Sequence, residues 1–245
     1  MPASLRHPGS ERRRSAKLCR MFVGWTARLL TVLLAADAAA GPGLAHDNDG
    51  RDRYRNPKNL DGYIAEQESP KRDAWQKPDE VLDALSIAAG QTVCDIGAGP
   101  GYFALRAAKR VGLTGRVFAV DVEPKILDVL RARIEQAGAR NVTPVLGLAD
   151  DPLLPNRICD LVLIVDAYHH FPGRPHYLRR LTAAMRRGAR LAIVDWHKRQ
   201  TAIGPEQSHR IAREDVLAEA ATAGLHLTAE PKLLPNQYFL ILTAR

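Results

Sequence analysis

The residues that first suggest chemistry are an acid and three glycines at alternate positions: Asp95, Gly97, Gly99 and Gly101, in the stretch VCDIGAGPGYF. They stand between an apolar run and a helix-like run that begins at Tyr102. Glycine lets a backbone take conformations closed to other residues, and it lets a ligand approach the main chain itself. Three of them in one turn exceed what a tight turn needs. A nicotinamide-dinucleotide site would place its third glycine at position 102. Tyr102 stands there instead, so a pyrophosphate seat of that kind is not expected.

Such a turn works only if rigid elements hold it. Apolar, β-branched runs occur at 92–96, 116–122, 143–146, 161–166 and 190–195, with helix-period runs at 102–111, 124–137, 175–187 and 213–223. Pro124 and Pro175 fall near helix starts, where a missing N–H costs nothing, and Gly138, Gly188 and Gly224 are expected as left-handed caps after helix ends. Alternating strands and helices predict an α/β fold, a doubly wound, Rossmann-like parallel sheet covered on both faces. The last runs, 225–230 and 238–245, are joined too briefly for a crossover helix, so they must be antiparallel. In such a sheet, ligands collect at the carboxyl ends of the strands where the strand order reverses, and the first strand-to-helix turn is the floor of that site. The glycines occupy this turn.

The spacing Asp95-x-Gly97-x-Gly99-x-Gly101 resembles motif I of the class I S-adenosylmethionine-dependent methyltransferases, and the resemblance continues in chain order over residues 72–245. It implies a seven-stranded sheet of order 3-2-1-4-5-7-6 with strand 7 antiparallel, S-adenosylmethionine as cofactor, and a seat for it made by Asp95, Gly97, Ala98, Gly99 and Gly101. In RVFAVDVEP, Asp121 closes the second strand, where it would accept the ribose hydroxyls with Glu123 as fallback, and Val122 would lie beside the adenine. In VLGLADDPLLP, the family's adenine-facing acid falls on Asp150 or on Asp151, and the intervening Leu148 and Ala149 leave that choice open. The stretch RDAWQKPDEV resembles one in similar bacterial methyltransferases, which suggests that Trp75 and Gln76 fold over the methionine end. A core tryptophan and a surface glutamine fit it equally well.

The exit of the fourth strand reads Asp166-Ala167-Tyr168-His169-His170-Phe171. Family members that methylate bases or amide nitrogens present Asn/Asp-Pro-Pro-aromatic there, so a nucleic-acid substrate is disfavoured. His-His-Phe resembles the small-molecule branch, which includes quinone, sterol and arsenite enzymes; arsenite chemistry uses several thiols, and only Cys94 and Cys159 lie in the domain. The segment ARLAIVDWHKR resembles the fifth strand with its post-motif. Methyl transfer from a sulfonium is an in-line displacement, so the protein's main task is alignment. Where the acceptor is a hydroxyl, a histidine with an ordinary pKa of about 6.5 is suited to take its proton. His169 and His170 are the candidates, with Asp166 to hold one of them. Neighbours on an extended segment point opposite ways, so one should face the pocket, and the sequence does not say which. Trp75, Tyr168 and His197 are further substrate-facing candidates, and His197 and His209 are weaker candidates for taking the proton. Neither CxxC nor a Cys/His cluster at zinc spacing occurs, so no metal site is expected.

Length and composition frame this reading. With 245 residues and 46% hydrophobic content, the chain can build a real core. Its formal net charge is +8, but seven basic residues and two acids in residues 1–45 account for most of it. The charge left on the domain does not argue for a nucleic-acid surface; the expected partner is a small-molecule acceptor, with the oligomeric state undetermined. Residues 1–45 read as a targeting segment, with a basic start, the apolar stretch LLTVLLAADAAA, and small-residue cleavage sites at Ala40 or Ala45. A membrane span needs about 20 mostly apolar residues, and Arg28 and Asp37 interrupt this one. A transit peptide or a start at Met21 are alternatives: export follows if the segment is used, a cytoplasmic location if translation starts later. An exported enzyme would need the cofactor brought with it or would have to work before export, unless the start is misplaced or the domain has lost activity. Residues 46–80 are expected as loop and short helix covering one edge of a methyltransferase domain at 81–245. Cys94 and Cys159 read as buried, unpaired thiols.

Overall fold

The computed structural model describes residues 59–244. The targeting segment, residues 1–45, and the start of the expected cap lie outside the described residues. Three short helices come first: α1 (Leu60–Gln67), α2 (Pro70–Gln76) and α3 (Pro78–Ala84). Proline opens α2 and α3, where an N–H would have no partner within the helix. The Asn59 and Ser69 side chains accept the first free amides of α1 and α2.

There follow β1 (Thr92–Ile96), α4 (Ala104–Val111), β2 (Arg116–Asp121), α5 (Pro124–Ala137), β3 (Val142–Leu146), β4 (Cys159–Val165), α6 (Arg174–Ala184), β5 (Met185–Trp196), α7 (Arg213–Thr222), β6 (Leu225–Ala229) and β7 (Gln237–Ala244). The strands form one sheet in the order β3-β2-β1-β4-β5-β7-β6, in which β7 runs antiparallel to both neighbours. This is the expected topology. The order reverses between β1 and β4, which places the ligand crevice above their carboxyl ends. Both strands are buried on two faces: Val93, Leu161 and Leu163 pack with Ala107 and Leu130 on one side, and Ile96, Val162 and Ile164 with Leu178, Leu181 and Val216 on the other. That is why the sequence shows unbroken apolar runs there. Each fully buried Leu or Ile contributes roughly 1.5–3 kcal/mol, so the floor under the crevice is strongly held.

Three expectations need correction. Helix α6 stops at Ala184 rather than running to residue 187, because Met185 turns extended and pairs with Cys159 at the start of β5. Gly188 therefore lies inside that strand, with φ +79°, and caps no helix. Cys94 and Cys159 are not free thiols: a disulfide joins them, with Cα atoms 5.9 Å apart. Their strands are neighbours and both side chains enter the same core layer, whereas a separation of 65 residues hides the pairing in the sequence. Finally, the N-terminal helices do more than cover an edge. Helix α3 buries Val81 and Leu82 in the core. Helix α2 reaches across the strand ends, with Gln76 Nε2 donating to Gln237 Oε1 at 2.9 Å and Arg72 paired with Asp166 at 3.2 Å. Among the described residues no helix is long and apolar enough to cross a membrane.

Candidate active site

The turn after β1 is pinned from the side of β2. Gly97 and Ala98 donate their N–H groups to Val120 O at 2.9 and 3.0 Å, and Gly99 donates to Asp121 Oδ2 at 2.9 Å. The three glycines serve different ends. A Cβ on Gly97 would sit 2.5 Å from the Ala167 Cβ, and one on Gly101 would sit 2.5 Å from Leu130 Cδ1, so both are bare because neighbouring elements press against them. Gly99 has φ +56° and nothing within 4 Å of a built Cβ. Its open side faces a cavity of about 540 Å³, lined at this end by Asp95, Gly97, Ala98, Gly99, Asp121 and Val122. A volume of that size suits a small organic ligand.

Two buried acids face this seat. Asp121 is 8% exposed, and its other oxygen accepts the Glu123 N–H at 3.0 Å. Burial raises its pKa, against the stabilising pull of the Glu123 and Gly99 amides. Burial pushes the Asp95 carboxyl up to about 7, opposed by Arg72, and its Oδ2 is buried without a hydrogen-bond partner. An unpartnered buried oxygen is costly to leave so, and it is complementary to a cationic group in the cavity.

The opposite wall comes from β4, β5 and the N-terminal helices. Asp166 takes a left-handed conformation, φ +54°, as the chain leaves β4, and it lines the cavity. The sequence reading gave it a histidine to hold, but its oxygens go to Arg72 Nη2 and Gln237 Nε2. Burial pushes it up to about 6, with the Arg72 charge opposing. The carboxylate that holds a histidine is Asp195, which binds His169 Nδ1 at 2.8 Å. His169 is turned away from the cavity and His170 lines it, which answers the question left open by the sequence. Burial, followed by the neighbouring His169, lowers His170 to about 4, so it is neutral at physiological pH.

Other expected residues lie elsewhere. Gly101 sits behind the turn, against Leu130. Tyr168 is fully buried with its hydroxyl donating to Glu219 at 2.6 Å, a packing role that its apolar ring and polar tip suit. Trp75 stacks on Trp196 with ring centroids 5.3 Å apart, and His197 packs edge-on against Tyr238; neither lines the cavity. Gln76 is buried in its bond to Gln237. Asp150 is exposed, and Asp151 pairs with Arg180 at 3.3 Å. Leu148 and Ala149 line the cavity in their place, on a turn closed by Leu148 N–H on Asp151 O at 2.7 Å. The sequence reading missed Tyr63, Gln67 and Arg72, which line the cavity from α1 and α2. Arg72 is 6% exposed, lies over the Tyr102 ring, and keeps a buried Nε–H without a partner. Its presence in the RDAWQ stretch was the one available signal. His209 also lines the cavity, with Pro205 beside it in the loop after β5.

Residues 93–188 match the sequence model of a methyltransferase domain. An uncharacterized methyltransferase of Mycobacterium tuberculosis is 38% identical over 128 residues, 52% of this chain and 48% of that protein. Residues 93–188 are thus similar to a methyltransferase domain, within a sheet that has the class I methyltransferase strand order. An aklanonic acid methyltransferase of a Streptomyces species is 30% identical over 114 residues, covering 46% of this chain and 52% of its own. The chain thus spans about half the length of these curated relatives. The crystal structure of a SAM dependent methyltransferase from Aquifex aeolicus superposes with a TM-score of 0.71 at 23% identity, covering 74% of this chain and 96% of that one. It shares the methyltransferase fold seen here, with the sheet reversing at the crevice where the glycine turn lies.

Proposed function

We propose that this methyltransferase domain transfers a methyl group from S-adenosylmethionine to a small-molecule acceptor. The observation that carries the reading is the glycine turn, which lines the cavity with Gly97, Ala98 and Gly99, has open space at Gly99, and is flanked by two buried acids, one with an unpartnered oxygen. The residues fit that group. Asp121 would accept the ribose hydroxyls, Val122 and Leu148 would face the adenine, and the turn amides would meet the adenosyl portion. The free Oδ2 of Asp95 suits the ammonium of the amino-acid head, and the free Nε–H of Arg72 suits its carboxylate. Bound there, S-adenosylmethionine supplies a methyl group activated by positively charged sulfur. Around His170 the cavity carries Pro172, Pro205 and His209. We assign this end to the acceptor and His170 to the proton that an acceptor hydroxyl must lose. The name of the Streptomyces relative supports a small-molecule acceptor.

Isothermal titration calorimetry tests the reading. The chain should bind S-adenosylmethionine in the micromolar range, and Asp121→Ala should weaken binding by roughly 1–3 kcal/mol through loss of a charged acceptor. No binding to well-folded protein overturns it, and binding with no label transfer to any metabolite reduces it to a cofactor-binding protein.

We also propose that the chain works after export. The basic and apolar start of residues 1–45 supports this. So does the Cys94–Cys159 disulfide, a bond that persists in oxidising compartments. Thiol labelling of fractionated cells should find both cysteines oxidised outside the cytosol; reduced protein confined to the cytosol ends that idea.

A further inference from the structure

Asp195, at the end of β5, is 1% exposed and takes no part in the donor seat. Its oxygens accept three N–H groups, two of them from His169: the His169 amide at 3.0 Å, the His169 ring Nδ1–H at 2.8 and 3.0 Å, and the Trp196 amide at 2.8 Å. A carboxylate can only accept, so Nδ1 of His169 carries the proton and the ring has one orientation. The His169 side chain is 4% exposed. Its ring lies against that of His170, with centroids 4.1 Å apart and planes inclined at 44°. The His170 N–H closes a turn on Ala167 O at 3.0 Å, which fixes its backbone, and the residue lines the cavity.

We propose that Asp195 and His169 are a positioning pair, which holds His170 in the cavity as a neutral imidazole aimed at the acceptor hydroxyl. This rests on the methyltransferase reading above. In the step served, the acceptor oxygen forms its bond to the methyl carbon, the sulfur–methyl bond breaks to leave a neutral thioether, and the hydroxyl proton passes to His170. A neutral ring there does not repel the incoming sulfonium. The charges facing the two rings are consistent with this division. Burial lowers His169, but Asp195, with help from Asp166 and against Arg210, raises it above its ordinary value. His170 is lowered by burial and by the adjacent His169 and His209, with Asp195 opposing.

Histidine ring NMR titration of the full chain, with and without S-adenosylmethionine, tests the pair without needing an acceptor. Asp195→Asn should lower the His169 midpoint by about one pH unit and move that of His170. His169→Gln keeps an N–H for Asp195 but no charge, and should raise the His170 midpoint; it serves equally well where Asp195→Asn fails to fold. Donor affinity measured by calorimetry should change less than about threefold in either folded variant. His170 titrating identically in wild type and His169→Gln overturns the proposal. Donor binding absent in the wild type, with the two rings still coupled, overturns instead the reading on which it rests.

Discussion

On the β1–β2 side of the cavity the surface is main chain: side chains are missing at Gly97 and Gly99, and Asp121 holds the turn by accepting a backbone amide. On the β4–β5 side the surface is made of side chains held by other side chains. Arg72 bridges Asp166 and Gln76, Gln237 bridges Asp166 and Gln76, and Asp195 fixes His169 behind His170. The first wall is local, built by residues 95–101 and one acid on the adjacent strand. The second draws on residues separated by up to 161 positions. A wall of main chain can present the same amides to the same ligand whatever its surroundings, whereas a wall of side chains is only as fixed as its most distant partner. The function proposed above puts the adenosyl portion of the donor on the first wall and the acceptor on the second, with Arg72 reaching the donor's carboxylate from the second.

The largest effect expected is on the second wall. Arg72→Met leaves Asp166 buried without its cation and should cost about 3–5 kcal/mol in urea unfolding, with partial recovery in the double variant carrying Asp166→Asn. A loss below 1 kcal/mol, or no recovery, would mean that the network does not hold this wall. Next comes the first wall. Gly97→Ala forces a Cβ onto Ala167 from a left-handed backbone and should cost roughly 2–4 kcal/mol. Gly99→Ala meets open space and should cost only about 1–2 kcal/mol while still weakening donor binding. Equal stability losses would erase the distinction between packing glycine and binding glycine. The smallest effect is a pH dependence. Asp95 sits near 7 in the ligand-free protein, and a bound cation favours its ionised form. Donor affinity should therefore rise as pH increases through about 7 and level off above it; a flat calorimetric profile removes Asp95 from contact with the donor.

The legibility of the two walls differs for the same reason. Asp95, Gly97, Gly99 and Asp121, singled out through the motif resemblance, all line the cavity, because backbone conformation and strand ends are written within a few residues. Asp150 and Asp151 could not be placed, since Asp151 is held by Arg180 and by the Leu153 amide, and Leu148 and Ala149 line the cavity instead. Tyr168 looked like a ligand-facing aromatic and proves to be core, because its partner Glu219 lies 51 residues away on α7. The cysteines looked independent for want of the strand order that makes them neighbours.

By itself the sequence determined the alternation of strands and helices, the antiparallel end of the sheet, and the bare turn after β1, since hydrophobic period, proline and glycine act over short range. Only the tertiary structure decided that His170 and not His169 enters the cavity, that Asp195 and not Asp166 holds a histidine, and that Arg72 closes the site from outside the sheet. Those outcomes depend on which distant charges and donors meet in a buried space, and the energy of a buried polar group is set by its partner rather than by its own place in the chain.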